Sequence, residues 1–165
     1  MRTLYIAFNG PSPTTGAQAL FALPVAITTL QQVATPAGQN IQIVEWGFSV
    51  DTPATAAKVQ FELLQTDVAM GSAASLTPTV WGDPNSRASL CVGGAALTSY
   101  NDGAITEGTI TATRMFDSIV CVPPFVYSKQ FPLGREPEMG ISKFLRVRAT
   151  ASVACNAYSY IIWEE

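Results

Sequence analysis

The run Asn40-Ile41-Gln42-Ile43-Val44-Glu45-Trp46-Gly47-Phe48-Ser49-Val50 decides the fold. Read with a period of two, Gln42, Val44, Trp46, Phe48 and Val50 share one face, and Ile41, Ile43, Glu45, Gly47 and Ser49 share the other. β-Branched and aromatic side chains suit a pleated surface, so this is a strand with Trp46 and Phe48 in a core. Asp51-Thr52-Pro53-Ala54-Thr55 then turns the chain into Lys58 to Thr66, where Val59, Phe61 and Leu63 alternate with Lys58, Gln60 and Glu62. The short connection predicts a half-buried strand lying antiparallel beside its predecessor.

Working outward, the same texture recurs. Thr3 to Phe8 is β-branched and aromatic and runs into the turn cluster Asn9 to Gly16. Val25 to Val33 alternates Val25, Ile27 and Thr29, and Gly108 to Val122 is extended up to Pro123-Pro124. Phe125 to Phe131 carries three aromatics before the turn Pro132 to Pro137. Lys143 to Thr150 places Leu145 and Val147 opposite Phe144, Arg146 and Arg148. Tyr158 to Glu164 is apolar on both faces, with Tyr158, Tyr160 and Ile162 against Ser159, Ile161 and Trp163, which predicts a central or covered strand. Ala69 to Asn101 is a long excursion of small and turn residues, with one helical turn expected near Pro84 to Leu90.

Eleven prolines and twelve glycines are spread along the chain and leave hardly any window for a long helix. About eight short strands without helices predict an all-β fold, an antiparallel two-sheet β-sandwich, jelly-roll before immunoglobulin-like. With 165 residues this is one domain over 1–165. The size scaling buries about 69% of the unfolded chain's surface, so neither a metal nor a disulfide is needed as a staple.

Composition narrows the function classes. Charged residues make up 13% of the chain, about half the usual quarter, while 48% are hydrophobic and the mean hydropathy is +0.24. A surface so short of charge is expected to meet other protein. The net charge of −3 and a pI near 4.9 argue against nucleic acid as a partner. There is no histidine, which removes the commonest general base, the commonest metal ligand and the His-activated nucleophiles. Cys91, Cys121 and Cys155 show no C-x-x-C spacing and sit in apolar or small-residue runs, so they read as small buried hydrophobes kept reduced in a cytoplasm. The N-terminus lacks a signal-peptide pattern, and no apolar stretch has the length of a membrane helix.

No phosphate-binding glycine motif occurs, and Gly47-Phe48-Ser49-Val50 lacks the last glycine of a nucleophile elbow. Paired carboxylates need no histidine, which makes Glu45, Glu136 and Glu138 the candidates for glycoside hydrolysis. Their plainer reading is one outward strand residue and two solvated turn residues. Asp51, Asp67, Asp83, Asp102 and Asp117 lie singly in different segments and read as turn formers rather than calcium ligands. Arg146 and Arg148, with Lys143 nearby, form the one local basic stripe, suited either to an acidic partner or to an ordinary solvated face. Phe125, Tyr127 and Phe131 are a candidate sugar platform or, more plainly, core. No catalytic, cofactor-binding or metal-binding residue is assigned, and an enzyme is not expected.

The strand Phe8-Asn9-Gly10, the strands Ile43 to Ser49 and Val59 to Leu64, the turn Pro132-Leu133-Gly134-Arg135-Glu136-Pro137 and the closing run Ala157 to Glu165 together resemble small jelly-roll decoration, or minor capsid, proteins of tailed bacteriophages. The resemblance covers the chain ends and middle and leaves out Ala69 to Asn101. It implies a structural virion protein on the outer capsid surface, made in the host cytoplasm. It also implies a homo-oligomer, a trimer before other states, that clamps the major capsid protein with no cofactor, nucleic acid or membrane involved. The loop 69–101 and the segment through Gly16 are the expected contact regions, and removal of the latter is expected to leave the sandwich folded. The alternative is a carbohydrate- or receptor-binding sandwich displayed on a virion, with Phe125 and Tyr127 as its platform.

Overall fold

A computed structural model describes residues 3–10, 21–51, 53, 55–71, 75–92 and 106–165. Their regular structure is all β. The strands are β1 (Leu4–Phe8), β2 (Phe21–Leu23), β3 (Ile27–Ala34), β4 (Ile41–Val50), β5 (Val59–Thr66), β6 (Thr79–Val80), β7 (Thr113–Cys121), β8 (Phe125–Gln130), β9 (Glu138–Met139), β10 (Phe144–Ala151) and β11 (Cys155–Glu164). They form two antiparallel sheets, one ordered β6-β1-β11-β4-β8 with β2 beside β11 and β9 beside β4, the other ordered β3-β10-β5-β7. The β-sandwich expected from the alternating strands is present.

Trp46, Phe48, Val50, Ala157, Ile161 and Trp163 from the first sheet meet Val59, Phe61, Leu63, Leu145, Val147 and Ala149 from the second. Phe48 and Phe61 stack across the interlayer with centroids 3.8 Å apart. That contact corrects the expectation that β4 and β5 lie side by side. The turn after Val50 carries the chain into the other sheet, where β5 pairs with β10 and β7 while β4 pairs with β11, β8 and β9. Both readings bury Phe48 and Phe61, so alternation does not distinguish hydrogen-bonded neighbours from partners facing across a core.

β-Bulges account for other departures from strict alternation. In β4, Ile43 pairs with Trp163 and Glu45 pairs with Ile162, which leaves Val44 as the extra residue. Ile41 and Ile43 therefore point inward with Trp46, Phe48 and Val50, and the face predicted for Gln42 and Val44 is outside. In β3 the shift lies opposite Val147/Arg148, and Leu30 and Gln31 are both fully buried while Ile27 is exposed. The apolar alternation of Val25 and Ile27 thus does not mark a core face.

β11 lies between β1 and β4, as its two-sided apolar pattern requires. β1 is itself interior, paired with β11 and β6, with Tyr5, Ile6 and Ala7 buried. Removing the chain before Gly16 would take out a core strand, which corrects the expectation that the sandwich survives it. The expected helical turn at Pro84 to Leu90 is instead a turn at Asp83–Ser86, where the Ser86 amide donates to the Asp83 carbonyl at 3.0 Å and the Asn85 amide donates to Asp83 Oδ1 at 2.9 Å. Within the long excursion, 72–74 and 93–101 lie outside the described residues.

Candidate functional site

The outer face of the first sheet carries a groove of about 440 Å³ lined by Leu4, Ile6, Phe8, Val44, Glu45, Trp81, Gln130, Tyr158, Tyr160 and Ile162. Each wall has a local cause. β11 alternation sends Tyr158, Tyr160 and Ile162 outward, and the β4 bulge turns Val44 and Glu45 together onto the strip opposite Ile162. β6 adds two residues to the edge of β1, and the Trp81 amide donates to the Leu4 carbonyl at 2.8 Å, which holds the indole at the rim. Phe8 and Tyr158 stack with centroids 5.6 Å apart.

Tyr160 crosses the groove floor. Its register partner on β4 is Gly47, where an added Cβ would lie 2.6 Å from Tyr160 Cε1 and 2.7 Å from the Tyr127 carbonyl oxygen. Glycine here lets the phenol ring lie flat over the neighbouring backbone and reach Glu45 Oε1, to which Tyr160 Oη donates. Burial, followed by the Glu45 hydrogen bond and charge, raises the Tyr160 pKa and keeps the phenol protonated as a donor. Glu45 is the one carboxylate among the described lining residues, and no lysine or arginine lines the groove with it.

The other residues singled out from sequence are dispersed. Glu136 lines a separate depression beside Phe131 to Leu133, and Glu138 accepts from Asn40 Nδ2 at 2.8 Å on the far side of β4. Asp51 accepts from the Asn156 amide at 2.7 Å and Nδ2 at 2.6 Å, and Asp67 accepts from the Thr111 hydroxyl and from the amides of Thr111 and Ala112. Asp117 is no turn former. It lies in β7 and accepts from Trp46 Nε1 at 3.1 Å and Tyr127 Oη at 2.9 Å, with Lys129 Nζ at 3.1 Å. Asp102 lies outside the described residues. Among the described residues no three acidic or cysteine side chains come together as a metal site.

The basic stripe is neither a docking face nor a solvated one. Arg146 is 0% exposed, with Nε donating to Gln32 Oε1 at 3.1 Å, Nη1 to Glu107 Oε2 and to the Glu107 carbonyl at 3.0 Å each, and Nη2 to the Val68 carbonyl. Arg148 is paired with Glu62 at 2.8 Å. The segments around Val68 and Glu107 lie over Arg146 and Thr29 on the second sheet, which strand alternation has no means of revealing. Phe125, Tyr127 and Phe131 do not form an open platform: Phe131 is buried, Tyr127 packs on Trp46 and Phe48, and Phe125 packs at the margin of Phe48. The aromatics that line the groove are Phe8, Trp81, Tyr158 and Tyr160. The two-sided apolar pattern of β11 was the available signal for Tyr158 and Tyr160 alone. The cysteines are buried free thiols.

In comparison with known proteins, no family model, no curated protein and no solved structure matches the chain.

Proposed function

We propose that this chain is a non-enzymatic decoration protein of a tailed-phage capsid, a jelly-roll that binds the outer shell as a homo-oligomer, trimer before other states, and stabilises contacts between major capsid subunits. The strand order supports the jelly-roll reading. With β1 and β2 taken as one interrupted strand, the long strands in chain order are first (β1/β2), second (β3), third (β4), fourth (β5), fifth (β7), sixth (β8), seventh (β10) and eighth (β11). The first sheet then runs first-eighth-third-sixth and the second runs second-seventh-fourth-fifth, which is the order of two wound Greek keys.

The observation that carries the assembly role is the margin formed by β7 and β8. These are the outermost long strands of their sheets, and they follow one another through Pro123-Pro124. Along them Val126 is 79% exposed and Val120 60%, and Met115, Val122 and Phe125 also face solvent. An edge strand keeps unpaired backbone donors and acceptors, and natural edges are ordinarily guarded by charge or short length. Here the margin is long and carries these exposed apolar side chains beside only three charges, Arg114 and the Lys129–Asp117 pair, which on a charge-poor molecule fits contact with further protein. Binding available only in the assembled shell would stabilise it by mass action.

Purified chain should run as an oligomer by light scattering and should co-sediment with empty capsids. Val120→Lys combined with Val126→Lys should abolish both while leaving the far-UV circular dichroism unchanged. A chain that stays monomeric and does not sediment with capsids, or a double variant that binds as well as the parent, would overturn the proposal.

A further inference from the structure

The groove on the first sheet has chemistry that assembly through β7 and β8 does not use. Trp46 and Trp163 are fully buried, whereas Trp81 is 56% exposed at the groove rim. We propose that this groove binds a neutral saccharide, with a pyranose ring against Trp81 and its hydroxyls held by the Glu45 carboxylate and the Gln130 amide. The inference does not depend on the shell-binding role.

Shape, charge and ring arrangement lead to that class. At about 440 Å³ the concavity falls in the range of small-molecule sites, which combine apolar walls with a few polar groups. A sugar ring has the matching amphipathic form, an apolar C–H face and a rim of hydroxyls. Glu45 is the lone charge among the described lining residues, so phosphates, nucleotides and acidic sugars meet repulsion with no cation to offset it. A quaternary ammonium would want several open ring faces around an uncommitted carboxylate. Here Phe8 and Tyr158 stack on each other, and Tyr160 already donates to Glu45, so Trp81 remains as a single platform. A second copy packed groove to groove would bring two Glu45 carboxylates together with no cation in either lining, which is strongly unfavourable. A hydroxyl-rich ligand instead satisfies the carboxylate through hydrogen bonds.

Because the other two tryptophans are buried, iodide quenching of tryptophan fluorescence reports on Trp81. Neutral gluco-, manno- and chito-oligosaccharides would be titrated against the purified chain, alongside tetramethylammonium. At least one oligosaccharide should protect Trp81 from iodide with a dissociation constant on the order of 0.1–1 mM, typical of a shallow site. Calorimetry on Trp81→Ala should show at least about a tenfold loss of affinity, and Glu45→Gln about a threefold loss or more, each with unchanged circular dichroism. Val25→Ala, exposed and outside both the groove and the β7–β8 margin, should bind as the parent does. No protection by any oligosaccharide up to about 10 mM, undiminished binding by Trp81→Ala, or equal protection by tetramethylammonium would each overturn the assignment. Protection that grows with protein concentration alone would overturn it in favour of a contact between copies.

Discussion

Tyr160 lies over Gly47, its cross-strand partner, so closely that the β-carbon of any other residue at 47 would sit 2.6 Å from the phenol ring. This pair connects a sequence detail to the groove: the missing side chain on β4 sets the height of the ring, and the ring places its hydroxyl on Glu45. Gly47→Ala should therefore destabilise the chain by about 1–3 kcal/mol, the usual range for overpacking. Urea denaturation of Gly47→Ala, Tyr160→Ala and the double variant checks this. The double variant should be more stable than the sum of the single effects predicts, with incomplete rescue because the Tyr127 carbonyl also lies 2.7 Å from the added carbon.

Glu107 should matter far more than a surface carboxylate. It accepts from the Thr29 amide at 2.6 Å and hydroxyl at 2.7 Å and pairs with the fully buried Arg146 at 3.0 Å. Burial lowers the Arg146 pKa, and the Glu107 charge acts against that shift. Glu107→Ala would leave a buried cation without its counter-charge, at a cost of about 3–5 kcal/mol in urea denaturation. Lys129 with Asp117 is the comparison: Lys129→Ala, whose side chain is 39% exposed, should cost no more than about 1 kcal/mol.

Stability should be flat through the neutral range and fall at both ends, since no histidine titrates there. The Thr111 hydroxyl, then the Ala112 amide, hold Asp67 at about 2 against an ordinary 3.8. A lowered folded-state pKa gives stability that is full above 3.8 and is lost as pH falls toward 2. At the alkaline end, burial and then the neighbouring Cys155 raise Cys121 from 9.0 to about 11. Burial and then the Asp117 hydrogen bond raise Tyr127 from 10.0 to about 12. Raised pKa values give stability that is full below the unfolded values and lost as pH climbs through the folded ones, so the decline should begin near pH 9 and continue to about 12. Thermal melts across pH check the profile. Asp67→Asn should flatten its acid limb and Tyr127→Phe should reduce its alkaline one.

Gln31 is a place where the chain should be easy to improve. It lies opposite Val147 and is 0% exposed, and neither amide atom has a hydrogen-bond partner among the described residues. A buried unsatisfied amide costs about 1–3 kcal/mol. Gln31→Leu, similar in size and without the polar atoms, should raise the chemical denaturation midpoint with an unchanged slope.

The strands were legible because Trp46, Phe48, Phe61, Leu145, Val147, Ile161 and Trp163 repeat with period two, and all of these side chains are buried. The groove was legible only in part. The pattern puts Tyr158, Tyr160 and Ile162 on one of two apolar faces of β11 without saying which face is outward, Trp81 lies in a segment without periodicity, and Glu45 reads as an outward strand carboxylate. Bringing them together takes the β6–β1 pairing and the Val44 bulge. Arg146 was misread for a related reason. Alternation says which side of a strand a residue occupies and is silent on whether distant segments cover that side.

Local chemistry by itself determined that this chain folds as strands: prolines and glycines deny it long helices, alternation pairs an apolar face with a polar one, and the shortage of charge leaves apolar surface outside. The tertiary structure decided which strands pair, that β4 and β5 face each other across the core, and that Arg146 is enclosed. It also decided that four aromatic rings share a groove with one carboxylate. Each of these depends on contacts between residues far apart in the chain, and side-chain period carries no information about the partner at such a distance.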